Sequence, residues 1–218
     1  RNNFELDRMS FPEYLKMLKS IYPYVDAHED NKTGVISYSI KSQRLAAFIR
    51  NNDRYFFIDS AGEKPVPYWY QDGYYRQCND LYFQGQIKKY IEVIDEELVE
   101  PSILNKVYKL LQTDLDNVIP ANMLNADSNI INFENGLLHL DTLTLHPHTP
   151  DIYSTVQIPC GWNPQALSSP VFNDFLHTLS SGDKSVKSLL WEYIGYAVSN
   201  IPGSMQTGAD IVRSRQHW

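Results

Sequence analysis

The stretch RYFFIDSAGEKPVPYWYQDGYYRQC, residues 54–78, is dense in aromatic side chains and interrupted by one sharp punctuation, Asp72-Gly73. An Asp-Gly pair between two such runs is a two-residue hairpin turn, which places Tyr68, Trp69 and Tyr70 on one strand and Tyr74 and Tyr75 on its neighbour. The stretch therefore reads as a β-meander. On both sides the apolar period changes to that of a helix. Upstream, Ser10 with Glu13 three residues on is a capping box, followed by Phe11, Tyr14, Leu15, Leu18 and Ile21 at helical spacing and a stop at Pro23. The polar run DAHEDNKTG reads as a loop over 26–34. Downstream, Ile87, Tyr90, Ile91, Ile94 and Leu98, then Ile103, Leu104, Val107, Tyr108 and Leu111 beyond Pro101, predict two helices.

The second half repeats this alternation on a smaller scale. In NIINFENGLLHLDTLTLHPH, residues 129–148, short strands are joined at Asn135-Gly136 and near Asp141-Thr142. Residues 152–173 carry no charge and three prolines, which suits an extended strap pressed on the surface. Ser169 with Pro170, and then Asp183, open two further helices. The fold class is α+β, with helical N- and C-terminal parts around a β-rich meander. Three regions are expected: 1–125, holding the first helix, the meander and the helical pair; 126–204, holding the hairpin, strap and two helices; and a tail, 205–218.

A chain of 218 residues with 43% apolar and 21% charged residues suits one medium domain or two small ones. Its mean hydropathy of -0.39, and the lack of an apolar run near the roughly 18 residues of a membrane helix, argue against a membrane protein, so cytoplasm is the expected location. The start at Arg1, without Met or an apolar leader, is expected to lie inside a longer gene product. Cys78 and Cys160 are too few for a disulfide framework and are expected as reduced, buried thiols.

Chemistry-bearing patterns are sparse. His146, His148 and Asp151 lack the spacing of a metal site, and no GxSxG elbow is present, so no metal and no catalytic residue is assigned. LYFQG, residues 81–85, looks like a tag-removal protease site but sits inside a continuous helical pattern and is native sequence. The net charge of -7 gives no general attraction for nucleic acid, and the acidic run EVIDEELVE reads as a solvated face. One local cluster, KSQRLAAFIRNNDR, carries Lys41, Arg44, Arg50 and Arg54 beside the aromatic meander. Rings for stacking next to cations for phosphates fit a single-stranded nucleic-acid site made of Lys41, Arg44, Arg50, Arg54, Tyr68, Trp69 and Tyr70. The competing reading is that these rings form a sheet core.

From Asn129 to Ser204 the order NIINFENGLLHLDTLTLHPHTPDIYSTVQIPCGWNPQA, FNDFLHTLSSGD, LLWEYIGYAVSNIPGS resembles the module that precedes the superfamily 3 helicase in phage- and plasmid-borne DNA primases of the satellite-phage type, shared with the poxvirus primase-helicase. The NGLLHLDTLTLHPHTP and LLWEYIGYAVSN segments are its most specific parts, and the upstream hairpin and helices fit its layout more loosely. The resemblance implies a non-catalytic module of a phage or prophage replication protein that links or positions DNA and a priming domain next to an ATP-driven helicase. Its implied partners are single-stranded or forked DNA and the replication proteins of the mobile element. A protein-interaction or assembly module without DNA contact, and a freestanding enzyme of unrecognised type, are the alternatives.

No GxxxxGK[ST] phosphate loop occurs in the chain, so no cofactor is expected here; ATP and Mg belong to the helicase domain, and a monomer or weak dimer is expected in place of a helicase ring. The tail MQTGADIVRSRQHW suggests why. Back-translated with permitted codons and read one base forward, it gives C-K-R-A-L-I-L-Y-G-P-G-N-T-G, a basic pair, an apolar strand and the opening of a phosphate loop. A frameshift near residue 204 or 205 is therefore expected. Sequencing the coding DNA checks it: the next reading frame should continue into a phosphate-loop Lys, and its absence there refutes the frameshift.

Overall fold

The structure, a computed structural model of the chain, describes residues 9–59, 64–166 and 169–198. The tail 205–218 lies outside the described residues. The chain divides into two compact units, 1–70 with 76–121, and 71–75 with 122–218.

The first unit opens with α1 (Phe11–Ile21), begun as the capping box requires: the Glu13 carboxylate accepts from the Ser10 backbone N–H at 2.9 Å and from Ser10 Oγ at 2.7 Å. Where the sequence suggested a loop over 26–34, the chain instead forms β1 (Val25–Glu29), paired antiparallel with β2 (Ile36–Ile40) from Val25↔Ile40 to Glu29↔Ile36. VDAHE alternates only over Val25 to His28, with a small Ala as its second apolar residue, too short a signal to stand out in a polar run, and its strand is held by pairing with β2. The loop shrinks to a turn in which Asp30 Oδ1 accepts the Lys32 and Thr33 N–H groups, both at 2.8 Å. There follow α2 (Ser42–Asn52), β3 (Tyr55–Asp59), β4 (Val66–Gln71), β5 (Tyr74–Gln77), α3 (Asp80–Glu92), α4 (Pro101–Gln112) and the short β6 (Val118–Pro120). The sheet order is β5-β4-β3-β6, antiparallel between β3 and β4 and parallel between β3 and β6.

The turn joining β4 to β5 has Asp72 at φ 56° and Gly73 at φ 89°, the two left-handed residues that a tight hairpin needs. Strand alternation puts Tyr55, Phe57 and Trp69 on the face against which α2, α3 and α4 lay Leu45, Ile49, Phe83, Ile87, Val107 and Leu111. Phe83 stands at the centre of this core. Fully buried, it meets Trp69 at 5.0 Å, Phe57 at 5.2 Å, and Tyr55 and Tyr108 at 5.4 Å between ring centroids. LYFQG is thus part of α3, and its Phe83 is core. Asp80, in the first turn of α3, accepts from Tyr108 Oη at 2.8 Å and pairs with Lys64.

In the second unit, β7 (Ile130–Phe133), β8 (Gly136–His139) and β9 (Thr144–His146) form an antiparallel sheet in that order. The strap runs beside it, with Ile158 bridging Phe133 in parallel. Asn132, buried, ties three segments together: its Nδ2 donates to Gly73 O at 3.0 Å and to Ser154 Oγ at 3.1 Å, and its Oδ1 faces His148 Nε2 at 3.1 Å. A Cβ on Gly73 would lie 2.6 Å from the His148 ring, so the turn glycine is fixed by packing as well as by φ. The chain ends its described part with α5 (Pro170–Leu179), capped by Ser169, and α6 (Lys184–Val198), begun by Asp183 Oδ1 accepting from Ser185 N at 2.7 Å. No described helix is long and apolar enough to cross a membrane.

Of the two cysteines, Cys78 is half-buried and burial pushes its thiol up to about 12, whereas Cys160 is exposed and not a core residue, because the strap leaves it on the solvent side. Truncating the ring at the centre of the core gives the largest expected loss of stability: Phe83→Ala should cost about 3–5 kcal/mol in urea unfolding, against under about 0.5 kcal/mol for the exposed Leu81→Ala on the same helix.

Candidate nucleic-acid interface

The basic residues of 41–54 divide between two places. Lys41, flanking the start of α2, and Arg44, in its first turn, both reach Asp26 on β1, at 3.6 and 2.9 Å. Lys19, from the last turn of α1, reaches the same carboxylate at 3.5 Å. Three half-exposed cations around one carboxylate leave a surplus of two positive charges on this surface. Partial burial pushes the Asp26 carboxyl up, but Arg44, Lys19 and Lys41 together outweigh it and hold the group below the usual carboxylate range. Lys19 was not among the residues expected from sequence. It lies 22 residues before Lys41, and only the β1–β2 pairing brings α1 and α2 to one carboxylate.

Arg50 takes another course. It pairs with Asp114, whose side chain is nearly buried just beyond α4; the guanidinium stays half-exposed, but its charge is matched one to one by that carboxylate. Arg54 is exposed, and its Nη1 donates to the carbonyl of Asp53 at 3.2 Å.

The rings of the meander also divide, by strand parity. Trp69 is 8% exposed, stacked on Tyr55 at 5.8 Å and 20°. Tyr68 points to the opposite face, half-buried and stacked on Phe56 at 4.9 Å and 19°. Tyr70 is half-buried, and its backbone N–H donates to Arg54 O at 2.9 Å.

Trp69 also helps to line a cleft of about 410 Å³ whose other rings are Tyr22, Tyr24, Phe48 and Tyr90. Tyr24 meets Phe48 at 5.2 Å and 58°, and Phe48 meets Tyr90 at 5.8 Å and 79°. The charged groups of the cleft are Asp53 and Lys89. Tyr90 Oη donates to Asp53 Oδ2 at 2.5 Å, and Tyr24 Oη to the carbonyl of Tyr90 at 2.8 Å. Burial pushes the Asp53 carboxyl above its usual range despite Tyr90 and Arg54, and burial raises the Tyr24 hydroxyl to about 12. Asp53 and Tyr90 carry no local sequence signal, since the helix-ending Asp and the helical Tyr meet only when α3 packs on α2.

His146 and His148 are turned to different partners: His146 to Thr144 Oγ1 at 3.0 Å and the His139 ring at 4.5 Å, His148 to Phe133 O at 2.8 Å.

Asp26 gives this surface a pH signature. Its lowered folded-state pKa contributes stability that is present above the unfolded value near 3.8 and lost as pH falls through the folded one. Asp26→Asn should therefore be less stable than the parent by up to about 1 kcal/mol at pH 7, and the two melting curves should converge below about pH 4; a gap independent of pH would show that the carboxylate charge is not responsible.

No curated protein matches this chain. A family model described as D5 N terminal like matches residues 39–181, from β2 through the meander, the α3–α4 pair and the β7–β9 sheet to the end of α5, and no ATPase domain is found in the chain. With well over half of its length matched, the chain belongs to the D5 N terminal like family, the N-terminal domain of phage and poxvirus D5-type primase-helicases.

Proposed function

We propose that this chain is a non-catalytic module of a phage or prophage primase-helicase that holds single-stranded or forked DNA beside the motor domain, binding it through the phosphate backbone. The observation that carries the reading is the cluster of Lys19, Lys41 and Arg44 on one carboxylate, a local positive surplus on a chain of net charge -7. Phosphates attract such a patch at short range, while the negative remainder limits long-range steering, so binding is weak and strongly salt-dependent. Arg54, exposed just beyond α2, adds a further cation, while Tyr68 lies on the sheet face opposite α2 and stands outside this patch; Arg50 serves its pair with Asp114. ATP and Mg are handled by the helicase domain, and the module works in the cytoplasm with the other replication proteins of the element.

One observation favours a second reading, a protein-assembly module without DNA contact. α5 and α6 expose Val171 (80%), Phe175 (56%) and Leu179 (55%), together with Trp191 and Tyr193, an amount of apolar surface that suits a protein neighbour.

Titration of fork DNA against salt separates the two. The triple variant Lys19→Ala, Lys41→Ala, Arg44→Ala should lower the slope of log K against log salt by about 2, from about 0.7 per lost phosphate contact on a single strand. Arg50→Ala should lower the melting temperature and leave the slope unchanged. A triple variant that folds and keeps both affinity and slope would remove the DNA reading in favour of assembly.

A further inference from the structure

We propose that the aromatic cleft of the first unit receives one unstacked base of a single-stranded DNA whose phosphates lie along Lys19, Lys41 and Arg44. This rests on the DNA reading above and assigns it a specific base-binding site. Lys41 immediately precedes α2, and Arg44 and Phe48 stand four positions apart within it, so the cationic patch at the start of the helix and the cleft lie on successive turns of one side. A strand tracked by the cations is thereby delivered to the rings.

The cleft has the chemistry of a base site. Phe48 and Tyr90 are half-buried and set nearly edge to face, which leaves ring surface open to a planar guest, and base–aromatic stacking works for any base because each has a π-face. Asp53 supplies the polar contact: with Oδ2 engaged by Tyr90 Oη, Oδ1 has no hydrogen-bond partner among the described residues and can accept an amine or ring N–H of the base edge. The volume of about 410 Å³ falls within the roughly 300–1,000 Å³ of small-ligand sites. A ring-lined cleft with a carboxylate would also suit a cationic side chain of a partner, but the cations already at its edge argue against that guest. Lys89 lines it, with Nζ on Gln86 Oε1 at 2.9 Å, and Arg54 adjoins Asp53. These suit a guest that carries phosphate.

The test uses the whole chain and a labelled single strand of about 16 nucleotides, the upper site size of comparable single-strand modules. Phe48→Leu, which keeps apolar volume and removes the ring, should weaken binding about 5-fold or more while leaving the salt slope unchanged, as expected for one lost stacked base. In the parent chain, ultraviolet cross-linking of strands carrying 5-iododeoxyuridine should map to peptides containing Phe48, Trp69 or Tyr90, which decides the matter even where the Leu variant folds poorly. Cross-links confined to other peptides, or a folded Phe48→Leu chain with parental affinity, overturn the base site; the backbone-contact reading survives that result if the Lys19, Lys41, Arg44 variant still lowers the slope. A parent chain that binds no single strand at any salt overturns both.

Discussion

Phe83 sits where one sheet and three helices converge, and the arrangement of the first unit depends on that contact. Its ring is surrounded by Tyr55, Phe57, Trp69 and Tyr108 at centroid distances between 5.0 and 5.4 Å, with tilted and edge-on geometries that let quadrupoles attract where parallel faces would repel. Fixing Phe83 fixes the rotation of α3, because Ile87, Tyr90 and Ile91 follow at i+4, i+7 and i+8 on the same side. Tyr90 is thereby carried to Asp53 at the end of α2 and to Tyr24 before β1. The cleft is a by-product of core packing: its rings are those at the margin of the aromatic core, where the packed layer meets solvent.

Electrostatics in this unit follow from what each carboxylate can reach. Asp114 is nearly buried and is matched by one cation, the half-exposed Arg50, so that pair leaves no charge in excess. Asp26 is more exposed and is shared by three cations, so it organises a positive surface without neutralising it. Net charge is therefore a poor guide to this module. The sign of a surface is decided by which side chains the fold leaves in excess.

The second unit adds a polar network to its small apolar core of Ile130, Phe133, Leu137 and Leu138. Asn132 accepts from or donates to Gly73, His148 and Ser154, and Gln157 adds a donor to Asp72 O at 3.0 Å. A buried amide bonded at both its oxygen and its nitrogen, as Asn132 is, positions backbone segments sharply, since a shift of any one leaves a donor or acceptor unpaired. The extended strap, poor in regular structure, is kept in register by such bonds and by the Phe133↔Ile158 bridge.

The sequence by itself determined the punctuation and the class. Asp72-Gly73 specifies a tight turn because only such pairs tolerate two left-handed residues, Ser10 with Glu13 specifies a helix start, and the switch between periods of two and 3.6 separates strands from helices. The motif order from Asn129 onward carried the family. Tertiary structure decided the rest, because each remaining feature depends on partners distant in the chain. VDAHE becomes a strand when β2 supplies its hydrogen bonds, and Cys160 is exposed because of where the strap runs. Strand parity sends Trp69 inward and Tyr68 to the other face. Lys41 and Arg50 stand nine positions apart on one basic stretch, yet one joins a patch in which three cations share a carboxylate and the other is matched singly by the nearly buried Asp114, since a helix turns adjacent charges toward different neighbours and local sequence does not say which neighbours wait there.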